Sequence, residues 1–204
     1  MRFQRLMVIA WLLTTAASVF ASVSSEQKRE HLRRLRTGEL KRMNLSPVDR
    51  AYLDVRTLLD QQGPCNEFFG GNTIEKVVEE LVVQLREERF SDSRTGVRMS
   101  GSVTLFDDSE KRLSYRLFEI AELNTQGPFY KAKVFAPDPY VPAVGTFGPN
   151  TREVRALILL HELAHLVQGK DHTWLIPDDG NNPQLSRLNT STVESRCGRQ
   201  IRAL

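Results

Sequence analysis

The chain has 204 residues, 40% hydrophobic and 26% charged, a balance that fits one soluble domain of ordinary composition. Its formal net charge is +3, and two of the positive charges, Arg2 and Arg5, fall in an N-terminal leader, which leaves +1 for the remainder. A pI of about 9.0 therefore gives no argument for nucleic-acid binding, and no nucleic-acid partner is expected.

Residues 1–21 read as a signal peptide. MRFQR is a basic start, LMVIAWLL an apolar stretch too short to span a bilayer, and Val19-Phe20-Ala21 a small-residue cleavage pattern before Ser22. The mature chain is expected to be secreted or periplasmic, without stable membrane insertion after cleavage. Residues 22–45 form a basic N-terminal arm. Within it EQKREHLRRLRTGELKRM, residues 26–43, carries seven basic and three acidic side chains and reads as a solvated, partly helical segment that includes His31. The folded domain is expected over 46–204. Cys65 and Cys197 are the only cysteines, and an even count in an oxidising compartment favours a disulfide from the front of the domain to its last helix. Closing so long a loop contributes roughly 4 kcal/mol on the chain-entropy account.

The domain reads as helices, then strands, then helices. Ser46-Pro47 predicts a helix start, and Tyr52, Val55, Leu58 and Leu59 give it one apolar face up to Gly63-Pro64. A second helix is predicted to open at Asn72, with Glu75 as capping-box partner. Ile74, Val77, Val78, Leu81 and Leu85 keep its helical spacing to about Phe90. From Gly96 the period becomes two. Val97, Met99, Val103 and Leu105 alternate, Asp107-Asp108-Ser109 turns, and Leu113, Tyr115 and Leu117 resume, with a further strand expected over Phe129–Phe135. Short connections between successive strands imply an antiparallel sheet. Residues 136–150 hold four prolines and two glycines and read as a loop. Asn150 is expected to cap a third helix, with Glu153 reciprocal and Gly169 as its stop. A last helix is expected from about Ser191. The fold class is α+β, with the antiparallel sheet packed against helices.

Residues 157–172, LILLHELAHLVQGKDH, place two histidines and a glutamate in an apolar helical run. His161 and His165 are four apart, so their rings leave one face about one turn apart and can both donate a nitrogen to one tetrahedral cation. Glu162 is offset around the helix, where a carboxylate can take a proton from a metal-activated water. Leu159, Leu160, Leu163, Ala164, Leu166 and Val167 keep the surroundings uncharged, which strengthens those electrostatics. The competing account is a polar stripe: Glu162 on solvent and two satisfied, partly buried histidines.

LLHELAHLV resembles the active helix of the zincin metallopeptidases, in which uncharged residues flank and fill H-E-x-x-H. The resemblance covers about ten residues. It implies Zn2+ held by His161 and His165, Glu162 as general base, a peptide or protein substrate, and an antiparallel sheet whose edge strand lies along the cleft. It also implies a third protein donor downstream with an open position for water. Asp171, His172, Asp178, Asp179 and Glu194 are the candidates. Gly169 falls one position late for a metzincin turn leading to His172, and no methionine follows Met99 to make a Met-turn. Glu194 suits a gluzincin, yet Ser191-Thr192-Val193-Glu194 also reads as a capping box. Asp178 and Asp179 sit in a turn that Trp174, Leu175 and Ile176 can pin to the core. Asp179 is taken first, as a loose likeness to the aspzincins, whose Gly-Thr-x-x-Asp signature is missing. Tyr130, Tyr140 or His172 are candidates for oxyanion stabilisation. The expectation is an exported zinc-dependent peptidase. The alternative is a non-catalytic exported binding or structural protein that keeps the zincin-like fold.

Overall fold

The computed structural model describes residues 24–40, 45–110, 113–134 and 140–204, so the expected signal peptide lies outside the described residues. Two compact units divide the chain, residues 1–41 and 42–204. In the first, residues 24–36 form helix α1. Its basic side chains pair with acids of the same segment: Arg29 with Glu26 at 3.9 Å, Arg33 with Glu30 at 2.7 Å, and Arg34 with Glu39 at 3.5 Å. Helical spacing of three makes the first two pairs neighbours on the surface.

In the second unit, α2 (Pro47–Asp60) starts at the predicted cap. Ser46 Oγ accepts the Asp49 N–H, and the Asp49 carboxylate accepts the Ser46 N–H, each at 3.1 Å. This capping box satisfies two of the donors a helix start leaves over. Tyr52, Val55, Leu58 and Leu59 are buried, as their spacing predicts. Gly63-Pro64 ends α2 but also begins a short helix, α3 (Pro64–Phe69), because proline at the first helical position needs no N–H partner.

The helix expected over 72–90 is cut at both ends. Gly71–Ile74 is a 3-10 turn, α4 covers Glu75–Gln84, and Leu85–Glu88 leaves the helix as strand β1. Leu85 continues the helical spacing, yet its backbone pairs with the sheet, so tertiary pairing overrides local periodicity here. Strands β2 (Val97–Ser100), β3 (Thr104–Asp108), β4 (Leu113–Leu117) and β5 (Ile120–Asn124) follow.

The expected single antiparallel sheet is corrected in two respects. β5 is the centre of a three-stranded mixed sheet, parallel to β1 and antiparallel to β2, while β3 and β4 form a separate antiparallel pair. Over the described residues 129–134, the strand expected over Phe129–Phe135 is not formed, and position 135 lies outside the described residues. Residues 125–130 are turn, Phe129 is fully buried and Lys133 makes a single bridge to Tyr140. Gly127 and Pro128 extend the turn, and IAELN of β5 lacks the alternation by which a half-exposed strand is found.

Helix α5 spans Arg152–Leu166 and is capped by Thr151, whose hydroxyl accepts the Val154 N–H at 3.2 Å. Asn150, the expected cap, has φ of 61°, a left-handed conformation that asparagine tolerates, and its side chain meets Arg155. Every residue from Ala156 to Leu166 is buried, so α5 is covered on all sides by α2, α6 and the strands. Thr151→Ala should lower stability by about 1 kcal/mol in urea unfolding, the usual cost of a lost cap. Helix α6 runs Pro183–Ile201, starting eight residues before the expected Ser191. Asn182 caps it, accepting the Gln184 and Leu185 N–H groups at 3.0 and 3.1 Å. A disulfide joins Cys65 of α3 to Cys197 of α6, both wholly buried. Among the described residues, no helix is long and apolar enough to cross a membrane.

Candidate metal centre

One turn of α5 separates His161 from His165, and their Nε2 atoms lie 3.1 Å apart with the rings edge to face. Asp179 meets them both: its Oδ2 is 3.1 Å from His161 Nε2 and its Oδ1 is 3.6 Å from His165 Nε2. Among the described residues these three side chains form the one group able to bring three donors to a single ion, all within 4.8 Å of one another.

The path from α5 to Asp179 follows from how the chain leaves the helix. After Leu166 it extends, Val167 bridging Tyr115 of β4 and the Gln168 N–H donating to Ser114 O at 3.1 Å. A tight turn follows, with Gly169 N–H donating to Thr173 O at 2.8 Å. The chain then returns antiparallel, Leu175 N–H donating to Val167 O at 3.0 Å. Ile176 is buried and Trp174 packs under Arg116, whose guanidinium lies 4.2 Å from the ring centroid. This anchored return brings the next residues, Pro177 to Asp179, over the histidine face.

Helix α6 closes the site from the other side with two adjacent buried residues. Thr190 Oγ1 lies 3.1 Å from His161 Nδ1, and the Asn189 amide donates to Pro177 O at 2.7 Å and to Asp179 Oδ1. If Thr190 accepts the Nδ1 proton, the Nε2 lone pair of His161 faces the cluster, the tautomer that metal ligation requires.

The residues fit a metal ion on two grounds. A tetrahedral ion with ligands at about 2.0–2.1 Å needs donors about 3.3–3.4 Å apart. The two Nε2 atoms are 3.1 Å apart, Asp179 Oδ2 is 3.1 Å from that of His161 and Asp179 Oδ1 is 3.6 Å from that of His165, and one donor atom from each residue can be chosen with all three within 4.8 Å. One proton on His161 Nε2 also cannot serve both His165 Nε2 and the carboxylate, so without a cation one of these close contacts is left poorly satisfied. Two imidazoles with one carboxylate form a donor set that zinc accepts, as do other first-row divalent ions such as iron.

Electrostatics follow the same convergence. Burial disfavours a charged His161, but the hydrogen bond to Asp179 and the charges of Glu162 and Asp179 outweigh it and raise its pKa. Burial would raise the Asp179 pKa too, yet hydrogen bonds from His161, His165 and Ser186 hold it well below the usual carboxylate range. Glu162 is buried beside the cluster. Its pKa is pushed up first by desolvation and further by the Asp179 charge, against the pull of both imidazoles. The polar-stripe account, with Glu162 on solvent, is thereby corrected, because an all-round buried helix leaves no solvent face at that position.

The other sequence candidates are engaged elsewhere. Asp178 forms a two-pronged pair with Arg116, and its Oδ1 is 4.0 Å from His165 Nδ1. Asp171 caps the exposed turn through Thr173 at 2.8 Å, and His172 sits beside it with φ of 61°. Glu194 lies inside α6, so its capping-box reading is corrected: it accepts the Thr146 N–H at 3.1 Å and pairs with Arg202 at 3.2 Å. Of the oxyanion candidates, Tyr130 donates to Glu87 at 2.5 Å and Tyr140 is 63% exposed.

Sequence reasoning did not find Arg116, Asn189 or Thr190. Arg116 falls on an outward position of the simple alternation through Leu113, Tyr115 and Leu117, but β4 is buried there on both faces. The α6 pair had a signal: Asn182-Pro183 is a cap followed by proline, and a helix started there would have carried both residues. Searches against family profiles, characterised proteins and solved structures gave no match to this chain.

Proposed function

We propose that this protein is an exported zinc-dependent peptidase. The observation that carries the reading is the convergence of His161, His165 and Asp179 on one point, with the buried Glu162 carboxylate beside them. Three protein donors leave a tetrahedral ion one open position, the hallmark of a catalytic rather than a structural zinc site. Export is supported by the leader-like first 21 residues and by the Cys65–Cys197 disulfide, a bond that persists in oxidising compartments.

His161, His165 and Asp179 would hold the zinc, with Thr190 fixing the His161 tautomer and Asn189 fixing the Asp179 carboxylate. Bound there, zinc supplies a Lewis acid that polarises a peptide carbonyl and lowers the pKa of water towards about 7. Glu162 accepts the proton of the attacking water and returns it to the departing amine, a base-then-acid role. Its buried setting excludes competing solvent and strengthens each charge interaction in the site.

The test is elemental analysis of purified mature protein. About one zinc per chain is expected, with chelator removing both the metal and the cleavage of a denatured protein substrate. Asp179→Ala should lose the metal at submicromolar free zinc. At free zinc about 1,000 times its dissociation constant, bound metal should raise unfolding stability by about 4 kcal/mol, read as a chelator-dependent fall in melting temperature. No bound metal after refolding in zinc would overturn the reading.

A further inference from the structure

We infer that Arg116 is a positioning residue for the donor cluster: its guanidinium anchors Asp178 and so sets the loop rotation that presents Asp179 to the two imidazoles. This rests on the zinc reading of the cluster. The side chain of Arg116 is 8% exposed, although β4 has no need of a charge there. Burying a guanidinium costs several kcal/mol unless its hydrogen bonds are met, and an apolar residue of similar size would often stabilise as well or better.

The bonds that meet the cost all lead to the site. Nε donates to His165 O at 2.9 Å, in the last turn of α5. One terminal nitrogen donates to Asp178 Oδ2 at 3.1 Å and the other to Asp178 Oδ1, the planar fork matching the carboxylate. The guanidinium face lies 4.2 Å from the Trp174 ring centroid and 5.4 Å from that of Phe118. One side chain of β4 thereby fixes the end of the helix that carries both histidines and the loop that carries the third donor.

Asp178 and Asp179 are consecutive carboxylates, yet only Asp179 meets the cluster: its Oδ2 is 3.1 Å from His161 Nε2, whereas Asp178 Oδ1 is 4.0 Å from His165 Nδ1, not from the Nε2 that faces the cluster. Which one faces the cluster depends on the rotation of a short loop between Ile176 and the start of α6. Arg116 holds Asp178 from one side and Asn189 holds Asp179 from the other, which sets that rotation. A lysine could not do this, having no fork to match both oxygens.

The experiment is a zinc affinity measured by competition with a chromophoric chelator, at a temperature where each variant keeps the wild-type far-ultraviolet circular dichroism. Arg116→Gln should weaken zinc binding by about 10- to 100-fold, the usual effect of removing a residue that orients a ligand. Asp178→Asn alters a side chain that is 58% exposed and should shift affinity the same way. It carries the test if Arg116→Gln does not fold. In an Asp179→Ala background both changes should lower the residual affinity much less than in the wild type, because the part that acts through Asp179 is already gone. A general loosening of the fold would instead add its effect in both backgrounds. Wild-type affinity in Arg116→Gln and Asp178→Asn, or full additivity with Asp179→Ala, overturns the positioning role. Absence of zinc binding by the wild type fails the metal reading itself, and the inference with it.

Discussion

Glu162→Ala is expected to bind zinc at the wild-type stoichiometry and to lose peptide cleavage by at least about 100- to 10,000-fold, the contribution of a well-placed general base. The two readouts separate because Glu162 is not among the three convergent donors. Its carboxylate lies one residue around the helix from His161, buried, with its charge felt by both imidazoles and by Asp179. Removing a buried carboxylate whose pKa is already pushed up by desolvation should cost the fold little, since the charged form is the costly one there. Melting temperature is therefore expected to fall slightly or to rise. Substitution by glutamine, which keeps the shape and cannot take the proton, should match alanine in activity. Zinc-loaded Glu162→Ala that still cleaves at the wild-type rate would remove Glu162 as the assigned base.

Loss of the Cys65–Cys197 bridge is expected to lower stability by about 4–5 kcal/mol, because it closes a loop of sequence separation 132. Against the typical 5–15 kcal/mol of a folded domain that is a large share. Urea unfolding of the Cys65→Ser, Cys197→Ser double variant should show a lower midpoint and a steeper slope, since the unlinked chain exposes more surface when unfolded. Both cysteines are wholly buried, so reductant alone should act slowly on the folded protein and quickly in denaturant. An unchanged midpoint in the double variant would mean that native packing between α3 and α6 already supplies the constraint.

Local signals were legible in the sequence where the chain needs no distant partner. Ser46-Pro47 announces α2 because a cap is satisfied within three residues, and the apolar run around His161 announces α5 because a buried helix must be uncharged nearly throughout. The cysteine pair was readable from its even count beside a leader-like N-terminus. Signals failed where long-range pairing decides. Leu85 belongs to a helix by spacing and to β1 by its parallel partner Ala121, 36 positions away. β5 is buried at the centre of its sheet, so it lacks the alternation that marks a half-exposed strand.

The candidate site divides in the same way. His161, Glu162 and His165 stand within five residues on one element, and their arrangement follows from the helical repeat. No local rule separates Asp179 from Asp178, which is identical in type and adjacent. The difference is made by Arg116 on β4, 62 positions before Asp178, and by Asn189 on α6, 10 positions after Asp179.

The three donors do not share one mechanical setting. The imidazoles ride on a helix buried on every side, whereas Asp179 sits on a loop between Pro177, Asp178 and Gly180, all exposed. Segments with so few buried neighbours open at lower free energy than core helices. In the proposed metal site the histidine pair would be a fixed jaw and Asp179 a latch, with ion entry and exit passing through motion of the latch.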